Sequence, residues 1–505
     1  MGVIAKPLEA LGTELAAHIQ KIEHYKQALT LLSWDARTIA PIKGAEQGSR
    51  VRGTFSAELR RLQTEPDFGK RLEEALATAE PGSLTHRIAA VHLKDFKRWS
   101  AIPAHAYAEF VLEQGRTQAA WTEARKAGDF AVVVPHLEKI FESSALFAAY
   151  WGYENDVYDP LVQQFDPDLD GATLDRVFGE FKNALLPLIR RVVEADRQPD
   201  TSIFEREFPL DEQRKLGIEL LHAIGYDFDA GSFGSTVHPF SSAINPNDAR
   251  LAAKFVENDV RVSLWSALHE GGHSLYTQHI DPSLINTGLG IFTSFGIHES
   301  QSIFFEKLLG RHPGFWEQNY ATLQRIRPEP FANVPFDDFY FALNAVKPGV
   351  NRFEADELTY NLHLIIRYEL ERAILSGEAK VGDLPKLWDD KYEEYLGIRP
   401  RNHREGVLQD AHWGAGFGLF PSYTLGFVYA AQFEEALRLD LPDYDGHIQR
   451  GEIDRIQDWL TEHIQRHGSA KSANELLRDV TGGGIDTAPL IRYLTKKYEG
   501  LYGLY

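Results

Sequence analysis

Apolar residues return every three or four positions through much of the chain. That spacing predicts helices from Leu8 to Leu32, His86 to Trp99, Ala104 to Arg125, Leu174 to Glu194, Asp211 to Ile224, Ile297 to Leu309, Ala355 to Leu375 and Ile453 to Arg466. Proline and asparagine interrupt the pattern at Asp166-Pro167-Asp168, at Pro239, at Asn245-Pro246-Asn247-Asp248 and at Lys347-Pro348-Gly349, where short loops are expected. Asp248 to Val256 reads instead as a strand, although its alanines and Lys254 weaken the pattern. Placed at a sheet edge, such a strand would pair with an extended peptide. The expected fold is mainly helical with a small β-sheet.

One predicted helix carries chemistry. Val260, Leu264, Leu268 and Leu275 recur at near-helical spacing and run the apolar face into His269-Glu270-Gly271-Gly272-His273. Residues four apart share a helix face, so His269 and His273 present two imidazoles to one cation, with Glu270 beside them. Neutral imidazole suits zinc. Gly271 and Gly272 are unexpected there, since each costs about 1 kcal/mol relative to alanine inside a helix. Their presence predicts a close approach by another backbone or by substrate.

A catalytic zinc takes three protein ligands and keeps one position open for water. Gly296 to Glu306 reads as a second amphipathic helix whose Ile297, Phe304 and Phe305, with Leu308 just beyond, face the core. Glu299, 26 positions beyond His273, is a candidate third ligand. Spacing alone leaves His279, His298 and Glu306 equally open, and an isolated glutamate on a helix is more often a solvated charge.

Composition narrows the setting. A length of 505 residues would suit about three domains, yet no linker, repeat or low-complexity stretch divides the chain, so one catalytic unit over residues 1–505 is expected. The net charge of −20 opposes binding to nucleic acid or to an anionic membrane. No apolar run approaches membrane-spanning length. The start Met1-Gly2-Val3-Ile4-Ala5-Lys6 lacks a basic-then-apolar leader, and Lys6 stands where a myristoylation signal needs Ser or Thr. A cytoplasmic location is the expectation. With no cysteine, a disulfide framework, a thiolate site and a cysteine nucleophile are excluded, and any metal must rest on His, Asp or Glu.

The residues together resemble the carboxypeptidase Taq family of zinc metallocarboxypeptidases. The likeness is carried by Asp35-Ala36-Arg37-Thr38, His238-Pro239-Phe240, His269 to His273, His298-Glu299-Ser300-Gln301-Ser302, Arg352-Phe353-Glu354-Ala355-Asp356 and Gly406-Val407-Leu408-Gln409-Asp410-Ala411-His412-Trp413. Phe420-Pro421-Ser422-Tyr423 is also similar, so the resemblance covers nearly the whole chain. It implies a neurolysin-like helical fold with a deep substrate groove, usually as a homodimer, acting on peptides with a free C-terminus. It implies Zn2+, with Co2+ as an alternative, held by His269, His273 and Glu299. Glu270 is then the general base that assists attack by a zinc-bound water. Tyr423 becomes the hydrogen-bond donor to the developing oxyanion, and His412 contacts substrate or supports the transition state.

Arg352 is implied as the receptor for the terminal carboxylate, which a planar guanidinium binds bidentately. The plainer alternative is an ion pair with Asp356 on its own helix. His238, Asp35 and Arg37 are implied as groove-lining contacts. The sequence departs from the family pattern at Ile303, where Arg is usual, and at Asn351, where Ile is usual. Neither position is a ligand, so the departures bear on substrate preference or packing. The function expected is hydrolysis of the last peptide bond with broad side-chain tolerance. A zinc oligopeptidase cutting internally and a catalytically silent peptide-binding protein are the alternatives.

Overall fold

Gly12, at φ 81°, breaks the first predicted helix, because the left-handed region that glycine enters freely cannot continue a right-handed helix. The long helix therefore begins one residue later and runs Thr13–Thr38. The structure is a computed structural model and describes residues 6–504; the leader positions Met1 to Ala5 lie outside the described residues. The described chain is mainly helical with a single three-stranded sheet, as the periodicity predicts. Among the described residues no helix is long and apolar enough to cross a membrane.

The chain forms two compact units. One comprises the chain up to Ser100 with Thr201–Tyr340 and Phe433–Gly484; the other comprises Ala101–Asp200, Phe341–Gln432 and the chain from Ile485 onward. In the first unit the sheet has the order β1-β3-β2, with β1 at Phe233–Ser235, β2 at Phe240–Asn245 and β3 at Asp248–Ala253. β2 and β3 are antiparallel, with Phe240 opposite Ala252, while β1 joins β3 in parallel, with Phe233 opposite Leu251.

The strand expected at an edge is therefore the central one. β3 is paired on both sides, and its Leu251, Ala252 and Ala253 are buried. The free edges belong to β1 and β2. β3 also ends at Ala253 rather than Val256, because the Lys254 amide leaves the ladder and donates to the Ser266 hydroxyl at 3.3 Å.

The helix Val260–Gln278 packs on β2 and β3. Asp259 caps it by accepting from the Arg261 amide at 3.0 Å, and Val260, Leu264, Leu268 and Leu275 are all buried, as predicted. Phe295–Ile303 follows, capped by Ser294, and the predicted extent to Leu309 holds, but Phe304–Leu309 is a wider π turn. From Glu299 to Leu309 this segment is buried throughout. Its polar residues survive there by bonding locally: Ser300 donates to Ile297 O at 2.7 Å and Ser302 to Glu299 O at 2.8 Å. Gln301 accepts from Gln465 at 2.8 Å.

In the second unit Ala104–Ala127, Val134–Trp151, Gly171–Val193, Tyr360–Leu375, Leu384–Leu396 and Ala488–Tyr502 are helical. The helix predicted from Ala355 begins only at Tyr360. The Asp356 carboxylate collects the amides of Leu358 and Thr359, both at 2.9 Å, and the Thr359 hydroxyl at 2.8 Å, which fixes a turn ahead of the helix.

Candidate metal centre

His269 and His273 lie one helical turn apart on Val260–Gln278, both partly exposed, with ring centroids 4.9 Å apart. Glu299, on the next helix, reaches both: Oε1 lies 3.8 Å from His269 Nε2 and Oε2 lies 3.4 Å from His273 Nε2. One donor atom from each of the three falls within 4.8 Å of the others. A tetrahedral ion with bonds near 2 Å would hold its donors roughly 3.3–3.5 Å apart, so the trio has the right scale. Glu299 Oε1 is buried without a hydrogen-bond partner, a cost that a cation at this point removes. Two imidazoles and a carboxylate form a donor set that zinc accepts, so the residues fit a metal.

The open alternatives for the third position find other duties. Glu306 accepts at 2.9 Å from the far nitrogen, Nδ1, of His269. His298 lies against His273, with centroids 4.1 Å apart, and stacks on Phe292 at 4.2 Å. Burial, reinforced by the neighbouring imidazoles, drives His298 well below its ordinary pKa, so it is a neutral spacer. His279 turns its Nδ1 onto Leu275 O of its own helix at 2.7 Å.

Charge at the centre follows from burial and proximity. Burial alone would lower the His269 pKa, but the facing Glu299, Glu306 and Glu270 carboxylates outweigh it and hold the ring raised to about 9. Burial would raise Glu299, yet the two imidazoles hold it lowered. For Glu270 burial wins and its pKa is raised, against the pull of His269 and His273 and of a hydrogen bond with Ser241 on β2. Arg37 also attracts Glu270 electrostatically, and its guanidinium lies 3.5 Å from the centroid of the Phe240 ring. Asp35 is exposed; its backbone carbonyl accepts the amides of Ile39 and Ala40 at 3.1 and 2.9 Å. His238 is exposed, two residues before Phe240.

The second unit gathers Arg352, His412 and Tyr423. Arg352 is buried and donates from Nε to Asp410 at 2.5 Å; its Nη2 lies 3.3 Å from His412 Nδ1. Its guanidinium carbon is 5.8 Å from the Tyr423 ring centroid. Asp410 also binds the His412 ring and accepts from Arg367 Nε at 3.1 Å. The ion pair with Asp356 considered above does not form, because Asp356 is committed to its turn. Asn351 caps Arg352–Glu354 by accepting from the Phe353 amide at 3.1 Å, and Ile303 is buried. Ser241, Asp410 and Arg367 escaped the sequence reading. Asp410 stands inside a quoted signature, whereas nothing near Ser241 marks it.

The glycine pair has two distinct neighbours. A β-carbon on Gly272 would stand 2.6 Å from Gln301 O and 2.7 Å from Ser302 Cα, backbone atoms of the Glu299 helix. One on Gly271 would meet only side-chain methyls, Leu221 Cδ2 at 2.8 Å and Ile224 Cδ1 at 2.9 Å. Gly272→Ala should therefore cost roughly 1–3 kcal/mol by overpacking and weaken metal binding. Gly271→Ala should be milder, since methyl ends yield and the helix gains about 1 kcal/mol of propensity. Thermal melts and metal titrations of both variants check the order; equal effects would sever Gly272 from the centre.

A metal ligand must be neutral at the coordinating nitrogen, so metal uptake displaces the His269 proton. Loading the metal-free protein near pH 7 should release a proton, and affinity should rise with pH until His269 titrates at about 9, then level. Calorimetry in buffers of differing ionisation heat reads the release. A flat affinity over this range would show an unprotonated ring.

The comparisons with known proteins point one way. A family model described as carboxypeptidase Taq (M32) metallopeptidase matches residues 14–498. Carboxypeptidase 1 of Bacillus subtilis is 41% identical over 487 residues, covering 96% of this chain and 97% of that protein. Thermostable carboxypeptidase 1 of Thermus thermophilus is 36% identical over 490 residues, covering 94% and 95%. The crystal structure of an M32 carboxypeptidase from Deinococcus radiodurans superposes with a TM-score of 0.94 at 36% identity, covering 97% of this chain and 99% of that one. Pyrococcus furiosus carboxypeptidase does so at 0.94 and 31% identity, covering 98% and 99%.

Proposed function

Because the chain belongs to the carboxypeptidase Taq (M32) family of metallopeptidases, we propose that it is a zinc enzyme removing C-terminal residues from peptides with broad side-chain tolerance. That it is a metallocarboxypeptidase, a hydrolase acting on peptides, follows from the family. The observation that carries the finer reading is the convergence of His269, His273 and Glu299 beside Glu270.

Zinc, or cobalt in its place, supplies a Lewis acid that polarises the scissile carbonyl and lowers the pKa of water. His269 and His273 offer Nε2 and Glu299 its carboxylate to hold it. Glu270 takes the proton of the attacking water on its carboxylate and returns it to the leaving amine. Its burial favours this, since a raised pKa brings a carboxylate nearer to working pH as a proton carrier. Ser241 orients the carboxylate.

The remaining roles rest on the family likeness. Tyr423 donates to the developing oxyanion, His412 contacts substrate, Arg352 receives the terminal carboxylate, and His238, Asp35 and Arg37 contact the peptide. The whole chain acts as one catalytic unit, as a cytoplasmic homodimer.

Glu270→Gln should lower kcat by at least about 100-fold while metal stays bound, read by steady-state kinetics beside metal analysis. Retained turnover would assign the base elsewhere.

Pairs of peptides differing only as C-terminal acid or amide test the exopeptidase reading. The acid should be strongly preferred by wild type, and Arg352→Ala should erase most of that preference through KM. Equal cleavage of acid and amide by wild type would mark an enzyme that cuts internally.

A further inference from the structure

Both nitrogens of the His269 ring are addressed by one continuous segment. Glu299 lies 3.8 Å from Nε2, and Glu306, seven residues on, accepts from Nδ1 at 2.9 Å. Seven residues are nearly two helical turns, which returns both carboxylates to the face that meets the imidazole. Glu306 is buried, and so is its chain neighbour Lys307, whose Nζ donates to Glu306 Oε1 at 3.0 Å. In a regular α-helix adjacent residues diverge and do not face each other. Here the pair sits in the π turn Phe304–Leu309, where the wider winding accommodates it. Arg311, also buried, adds a second positive charge that acts on Glu306, its guanidinium held 4.1 Å from the Trp265 ring centroid.

We propose that Glu306 and Lys307 are paired positioning residues that set the metal affinity of the centre with opposite signs. Glu306 fixes the proton of His269 on Nδ1 and so turns the Nε2 lone pair toward the metal. It also adds negative charge that favours a dication. Lys307 offsets that charge. A lone buried carboxylate at this point would be costly, and one left uncompensated would make the centre more negative than its three ligands require. The pair therefore trades affinity for a tolerable metal-free state. This rests on the reading of His269, His273 and Glu299 as ligands.

The test uses full-length protein stripped of metal by chelator dialysis. Zinc affinity is measured by competition with a chromophoric chelator, and Co2+ absorption reports the coordination shell. Glu306→Gln, which keeps size and an acceptor, should weaken zinc binding roughly 10–100-fold while the Co2+ spectrum keeps its shape. Lys307→Met should tighten zinc binding, and Lys307→Arg should leave it near wild type. Should Lys307→Met fail to fold, Lys307→Gln is read by the same criterion.

Unchanged affinity in Glu306→Gln overturns the proposal, as does weakening by both Glu306→Gln and the lysine variant, which would indicate only packing damage. The ligand reading fails separately, by wild type binding no zinc or by Glu299→Gln binding it as tightly as wild type.

Discussion

Two helix backbones meet at Gly272 with no space for a β-carbon, and the distance between the paired imidazoles and the Glu299 carboxylate follows from that contact. A glycine inside a helix costs about 1 kcal/mol, and a helix with two adjacent ones is weak in isolation. The weakness is offset by burial: Val260–Gln278 lies on the sheet and against Leu210–Ala223, as well as on the Glu299 helix. The partner helix makes a matching concession. Ser300 and Ser302 are small, and their hydroxyls return to their own backbone, so these two polar residues are buried with their hydroxyls satisfied. The consecutive residues of His298-Glu299-Ser300-Gln301-Ser302 thus serve spacing, close packing and the presentation of a candidate ligand at once.

The same proximity creates an electrostatic problem that the protein solves with local charges. Glu270, Glu299 and Glu306 are all buried around His269. In the metal-free state a proton on His269 answers part of this charge, and Lys307 and Arg311 answer Glu306. The division separates roles. Glu306, flanked by cations, is held far on the ionised side, whereas burial raises Glu270. Three carboxylates in one neighbourhood thereby acquire three different tendencies, set by what stands beside each.

How much of this is legible in the sequence depends on whether a feature is local. Helices with one polar face, such as Gly171–Val193 and Ile453–His463, appear in the periodicity. Phe420–Asp440 does not, because Leu425, Phe427, Val428, Tyr429 and Phe433 bury it around its whole circumference and leave no stripe. Ala45–Gln63 is hidden for the opposite reason, being mostly exposed with Gly48 and Gly53 inside it. The helix spacing of His269 and His273 needs no tertiary information, but choosing among Glu299, Glu306, His298 and His279 does. Spacing cannot say which nitrogen of a ring a carboxylate meets. The edge placement failed similarly: composition identifies β3, whereas its central place depends on β1 arriving in parallel from earlier in the chain.

The Arg352 cluster sets two buried arginines against one aspartate. A guanidinium sunk in apolar surroundings without a counter-charge would be expensive, and one fully neutralised would have little attraction left for a carboxylate. Asp410 accepts from the Nε of both Arg352 and Arg367, so two fixed positive charges share one negative. The Arg352 fork is held in place through Nε, and its Nη2 is turned toward His412 Nδ1 at 3.3 Å. An amide offers similar shape and hydrogen bonding but no charge. If Arg352 receives the terminal carboxylate as proposed, discrimination between a chain end and a chain interior would rest on this surplus charge.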